Sequence, residues 1–178
     1  LGHPALRPWD ESIYAGAARY MVREGYWLIP HLHWRRVGEF GPFFEKPPLG
    51  MWLQAISMSI FGVSEFSVRL PNALATILLA ILVYHIGNEL FEWKAGLAGA
   101  FVLLILPGLF QFGHSGRSAA LDPLLVLFGS LFVWFIWQAR TNSKLFIPAG
   151  ILAGLAVMTK GVAAGTFLVI LLPYVLYY

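Results

Sequence analysis

Residues 70–88 read LPNALATILLAILVYHIGN, nineteen consecutive positions without an Asp, Glu, Lys or Arg. A helix crosses the hydrocarbon core of a bilayer with about 20 mainly apolar residues, so the stretch reads as a transmembrane span. Three further charge-free runs share that length: 22 residues at 95–116, 17 at 123–139 and 18 at 161–178. Of the 21 charged residues, 13 lie in positions 1–69, which leaves the rest of the chain to lipid-compatible side chains. The chain as a whole is 58% hydrophobic and 12% charged, with a mean hydropathy of +0.70. Soluble domains carry about 25% charged residues. The expectation is an all-α, multi-pass membrane protein.

Two regions follow. Residues 1–46 are polar and aromatic and read as an interfacial loop. Within them Ile13, Tyr14, Ala17, Ala18, Met21 and Val22 recur at helical spacing, with Arg19, Arg23 and Glu24 elsewhere on the wheel. That predicts an amphipathic helix from Asp10 to Gly25, lying in the membrane interface. Residues 26–45 read as a loop with little regular structure. Residues 47–178 read as about five to six helices: one opened by Pro47 and Pro48 and running to Phe61, a polar turn at 62–71, then spans near 72–91, 95–113, 121–138, 145–159 and 162–178. Gly150, Gly154 and Gly161 are candidates for close helix packing.

Several classes are excluded or disfavoured. The net charge is +3 and the basic residues are dispersed, so nothing suggests a nucleic-acid partner. Without cysteine there are no disulfides and no thiolate metal sites. The opening LGHPALRPWDES lacks a signal peptide and an initiator methionine. It reads as the middle of a longer chain, with an upstream transmembrane helix and much downstream sequence to come.

Alternation of the spans places Lys94, Arg140 and Lys144 on one side. The positive-inside rule makes that side cytoplasmic. The other side gathers Asp10, Glu11, Glu45, Lys46, Arg69, Arg117, Asp122 and Lys160. Ionisable groups at membrane boundaries are costly and are functional candidates. Asp10 and Glu11 open the amphipathic helix, where carboxylates serve as caps or as a general base. Lys46 precedes a proline, which fixes its backbone; it reads equally as a partner for a phosphate and as a lysine at a helix start snorkelling to the surface. Asp122 reads as a helix N-cap before Pro123, with Arg117 as a pairing partner. His31 and His33 have a spacing compatible with metal on an extended segment, but ordinary loop histidines are the better reading, and His85 reads as a helix-to-helix contact.

The ordered set DESIY (10–14), EKPPLGMWLQA (45–55), FGVSEFSVRLPNALA (61–75), ALDPLLVLF (120–128) and MTKG (158–161) resembles the integral-membrane glycosyltransferases of the protein O-mannosyltransferase type. Their bacterial relatives include the aminoarabinose transferase that modifies lipid A. Ile13 stands where the aminoarabinose transferases carry an arginine, a departure that bears on the lipid A assignment and not on the broader family. The resemblance implies a GT-C fold in the cell membrane with its active site on the extracytoplasmic side. It implies a polyprenyl-phosphate sugar as donor and a lipid, protein or glycan as acceptor. It gives Asp10, Glu11 and Asp122 as catalytic, Lys46, Arg117 and Lys160 as contacts to the donor phosphate, and Glu45 as a ligand for a divalent metal ion used by some relatives. Transfer would invert the anomeric centre. The rival classes are a transporter fragment, which should carry ionisable groups near the bilayer middle, and a noncatalytic lipid-binding subunit.

Overall fold

The computed structural model describes residues 2, 5–33, 40–106, 116 and 118–177. Helix α1 (Asp10–Glu24) is followed by two three-residue strands, β1 (His31–His33) and β2 (Phe40–Pro42), which pair antiparallel with Leu32 opposite Gly41. Six helices follow among the described residues: α2 (Leu49–Phe61), α3 (Glu65–Leu90), α4 (Trp93–Ile105), α5 (Asp122–Ala139), α6 (Phe146–Lys160) and α7 (Gly165–Tyr177), with short 3-10 turns before and after α6. The bundle is the multi-pass helical fold expected. The small ribbon is an addition to it, in a segment expected to lack regular structure.

Helix α1 buries the predicted stripe. Tyr14, Ala17, Ala18 and Met21 are buried, Ile13 and Val22 half-buried, and Arg19, Arg23 and Glu24 exposed. Gly25 ends the helix in the left-handed region, its N–H bonded to the Met21 carbonyl, as a C-terminal glycine does. The buried face meets protein: α1 packs on α2, and its residues share a core with Phe43, Met51, Ala55, Val68 and Leu121.

Residues 62–71 are not a polar turn. Ser64 and Ser67 form a reciprocal capping box, and α3 starts at Glu65 and runs through Pro71. Satisfying the first free N–H groups in this way starts the helix a turn and a half earlier than the charge-free run suggests. The helices Glu65–Leu90 and Asp122–Ala139, and the helical stretch Ser143–Leu176, are long and apolar enough to cross a membrane. That last stretch holds two helices that run in opposite directions. Lys160 at the end of α6 meets Asp122 at the start of α5, whereas α7 returns along α5 with Phe167 filling the space beside Gly129 and Tyr174 against Trp137. Gly161, at φ 59, makes the reversal. At 15 residues α6 is about 22 Å long, shorter than the roughly 30 Å hydrocarbon core.

Close packing occurs at other glycines than expected. A Cβ on Gly87 would lie 2.6 Å from the Gly96 Cα, so α3 and α4 touch backbone to backbone there. Gly150 and Gly154 face open space.

Candidate functional site

Asp10 and Glu11 are neighbours in sequence and part company in space. Asp10 is the first residue of α1, and Trp9 before it occupies the cap position with no side-chain capping bond. The cap position expected for Asp10 is therefore held by Trp9. The Asp10 carboxylate accepts a hydrogen bond from the Tyr14 hydroxyl one turn on. Trp9 takes a positive φ of 73, a strained conformation for a tryptophan, directly before the carboxylate.

Glu11 turns into the core. Its Oε1 accepts from Arg69 Nε at 2.7 Å and from the Ala119 N–H at 2.9 Å, and its Oε2 accepts from the Arg7 N–H at 2.7 Å and from the Arg69 guanidinium at 3.2 Å. The two side chains are 2% and 5% exposed, so the pair is shut away from solvent. Burial alone would raise the Glu11 pKa. The Arg69 hydrogen bond, the two backbone N–H groups and the Arg69 charge outweigh it and hold the carboxyl below its ordinary value. A fully engaged, buried carboxylate has no lone pair placed for a substrate. The geometry gives Glu11 a structural clasp in place of the catalytic position expected for it.

Tyr14, the partner of Asp10, was not among the expected site residues. Its phenol is raised well above the ordinary tyrosine value, first by burial and then by the charges of Asp10, Asp122 and Glu45 and the bond to Asp10. Of the three carboxylates only Asp10 is bonded to this buried hydroxyl; the charges of Asp122 and Glu45 act on it through space. Phe43 is buried edge-on against the Tyr14 ring, with centroids 6.3 Å apart, and its N–H bonds the Pro30 carbonyl at 2.7 Å. These contacts fix the segment carrying Glu45 and Lys46. The Trp52 indole donates to the Trp27 carbonyl at 2.6 Å and ties α2 to the α1–β1 connection, which also holds Pro30.

Asp122 is the first residue of α5, and Leu121 holds the cap position before it. Asp122 pairs with Lys160 Nζ at 2.6 Å, in a half-buried position. The next residue, Gly161, lies beside Pro47, since a Cβ there would be 3.7 Å from Pro47 Cγ. The connection that carries Lys46 and the end of α6 are therefore adjacent. Lys46 is half-buried and forms no ion pair with any described residue. Arg117 lies outside the described residues, as do His3 and His114. Glu45 is exposed, and among the described residues no group of three or more His, Asp or Glu could hold a metal ion. The described residues thus supply no complete ligand set for the divalent ion expected at Glu45. His31 takes part in an aromatic cluster, stacking on Tyr26 at 4.1 Å with Phe40 nearby.

The ordered motifs and this meeting of α1, α2, α5 and α6 have a counterpart in known proteins. Residues 45–178 match the family described as dolichyl-phosphate-mannose-protein mannosyltransferase. The chain belongs to that family. Among the relatives of this mannosyltransferase-family chain is the undecaprenyl phosphate-alpha-4-amino-4-deoxy-L-arabinose arabinosyl transferase 2 of Proteus mirabilis, 32% identical over 94% of this chain and 30% of that protein. The corresponding transferase of Pseudomonas savastanoi pv. phaseolicola is 33% identical over 99% of this chain and 33% of its own length. The chain thus spans about a third of the curated relatives it matches. Crystal structures of ArnT from Cupriavidus metallidurans share the fold, with TM-scores of 0.77 for the apo state and 0.70 for the state bound to undecaprenyl phosphate. Their identities are 23% and 24%, over 89% of this chain and 29% of each of those.

Proposed function

We propose that the protein is a glycosyltransferase. It moves a sugar from a polyprenyl-phosphate donor to a hydroxyl or phosphate acceptor at the outer membrane face, by a single displacement that inverts the anomeric carbon. The observation that carries this reading is the Asp122–Lys160 pair, set beside the connection that carries Lys46, with the Asp10 carboxylate bonded to Tyr14. Membership of the mannosyltransferase family supports it, and the activity of the relatives, undecaprenyl phosphate-aminoarabinose arabinosyl transferases, points to lipid-linked sugars.

In this reading Asp10 is the base. Its carboxylate accepts the acceptor's proton as the oxygen attacks the anomeric carbon. Tyr14 holds that carboxylate in place by donating to it and stays protonated throughout, because its pKa is raised. The departing group is an anionic lipid phosphate. Lys46, half-buried and unpaired among the described residues, supplies the positive charge for it. Lys160 adds a second cation whose position Asp122 sets. Arg117 remains a candidate phosphate contact by its place in the motif. Glu11 holds the scaffold. The apolar helices accommodate the polyprenyl chain.

The positions of the ionisable groups also favour an enzyme over a transporter. Arg69, Glu89, Asp122, Arg140, Lys144 and Lys160 all lie within a turn or two of helix ends, whereas transport sites concentrate such groups near the bilayer midplane. The test is transfer from a panel of radiolabelled polyprenyl-phosphate sugars by the full-length protein in proteoliposomes. At least one donor should be consumed, and Lys46→Ala should slow its transfer about a hundredfold, as loss of a group that stabilises developing charge does. Consumption of no donor, or undiminished transfer by Lys46→Ala, would refute the assignment.

A further inference from the structure

Side chains from three helices close on one short piece of backbone just before Asp122. Residues 118–120 are buried and irregular. Backbone buried in protein without helix or strand bonds must find partners among neighbouring side chains. Gln54 Nε2 of α2 donates to the Ala119 carbonyl at 2.7 Å. Asn72 Nδ2 of α3 donates to the Ser118 carbonyl at 2.6 Å and also to the Ala120 carbonyl. Glu11 of α1 accepts the Ala119 N–H. Both amide side chains are fully buried. Among the described residues, their oxygens accept no hydrogen bond. The three loop carbonyls are thus what these amides engage.

Little slack separates the loop from the site. Leu121 is fully buried and fills the space beside Gly50 at the start of α2. Asp122 follows, and Pro123 after it has a fixed φ. Wherever the 118–120 backbone sits, the Asp122 carboxylate is carried with it, and the 2.6 Å contact to Lys160 depends on that placement. Two amides in apolar helices carry a desolvation cost that leucine or methionine would not. A requirement to hold this backbone explains their presence.

We propose that Gln54 and Asn72 are positioning residues: they fix residues 118–120 so that Asp122 stays against Lys160 during transfer. The proposal rests on the reading of this site as a glycosyl-transfer site. It is tested in the full-length protein with Asn72→Leu and Gln54→Met, each alone and combined with Asp122→Asn. One readout is the labelling rate of the Lys160 amine by an amine-reactive ester, followed by mass spectrometry. The other is transfer from a polyprenyl-phosphate sugar. Labelling should rise about threefold or more as the pair loosens. The turnover number should fall about tenfold while the donor KM changes by less than about twofold. In the Asp122→Asn background the same substitutions should cost less than about twofold more, because they act through Asp122. Unchanged labelling, or losses that multiply in the double variants, would overturn the proposal. Gln54→Met removes one bond, against two for Asn72→Leu, and decides the matter if the latter does not fold. If the wild-type protein uses no lipid-linked sugar, the functional reading fails, while the labelling still decides whether the amides hold the pair.

Discussion

The Lys160 ammonium lies 2.6 Å from the Asp122 carboxylate and joins the end of α6 to the beginning of α5, 38 residues apart in the chain. Both groups are partly open to water, so the pair itself adds little to stability. A double-mutant cycle on thermal unfolding with Asp122→Asn and Lys160→Met should give a coupling of about 1 kcal/mol or less. Transfer should respond far more strongly, falling about a hundredfold in either single variant. A coupling of several kcal/mol with near-normal transfer would make the pair a structural element only.

Glu11 and Arg69 should show the opposite balance. Removing one partner of a buried, hydrogen-bonded ion pair costs about 3–5 kcal/mol, so Glu11→Gln should lower the unfolding midpoint sharply. The Glu11 pKa is depressed in the folded protein. Its contribution is therefore complete above the ordinary glutamate range and is lost as pH falls through the folded value. Acid titration of the unfolding midpoint should steepen on the low-pH side in the wild type and flatten in Glu11→Gln. Equal acid sensitivity in the two proteins would argue against the clasp.

Tyr14→Phe keeps the ring that packs on Phe43 and deletes only the hydroxyl. Losing a hydrogen bond of this kind costs about 1 kcal/mol of stability. If the bond positions Asp10 for proton transfer, the turnover number should fall about tenfold while the unfolding midpoint shifts by only a few degrees. Full turnover in this variant would leave Tyr14 a packing residue.

The helix α3–α4 contact offers a test free of any activity. Gly87→Val places side-chain atoms against the Gly96 backbone and should destabilise the protein by about 2 kcal/mol or more, the upper range for overpacking. Gly154→Ala meets nothing within 4 Å and should raise stability by about 0.5–1 kcal/mol through helix propensity. Thermal melts of the two variants should therefore move in opposite directions.

The bundle is legible in the sequence because lipid imposes a strong rule: charge-free apolar runs favour helices, and each of the four runs carries one among the described residues. Helix α1 is legible for a similar reason, since its apolar residues repeat at the helical period around a charged face. The start of α3 is harder to read. Arg69 and Pro71 look like turn residues until Glu11, 58 positions away, is seen to neutralise the arginine. Gln54 and Asn72 sit unremarked within apolar runs, because the backbone carbonyls that need them lie 65 and 46 or more residues away. Asp10 and Glu11 show the limit most plainly. Adjacent carboxylates at a helix start look alike in sequence, and only the 100° turn between successive helical residues sends one to Tyr14 and the other to Arg69. The ribbon at 31–33 and 40–42 is too short to leave an alternating pattern.

The measurement that bears most directly on the account is the initial rate of sugar transfer by full-length Asp10→Asn protein whose unfolding midpoint matches the wild type. Because the amide keeps the shape of the carboxylate and cannot take the acceptor's proton, the rate should fall about a hundredfold or more from loss of general base catalysis. A rate within about twofold of wild type would contradict the placement of Asp10 at the centre of the chemistry.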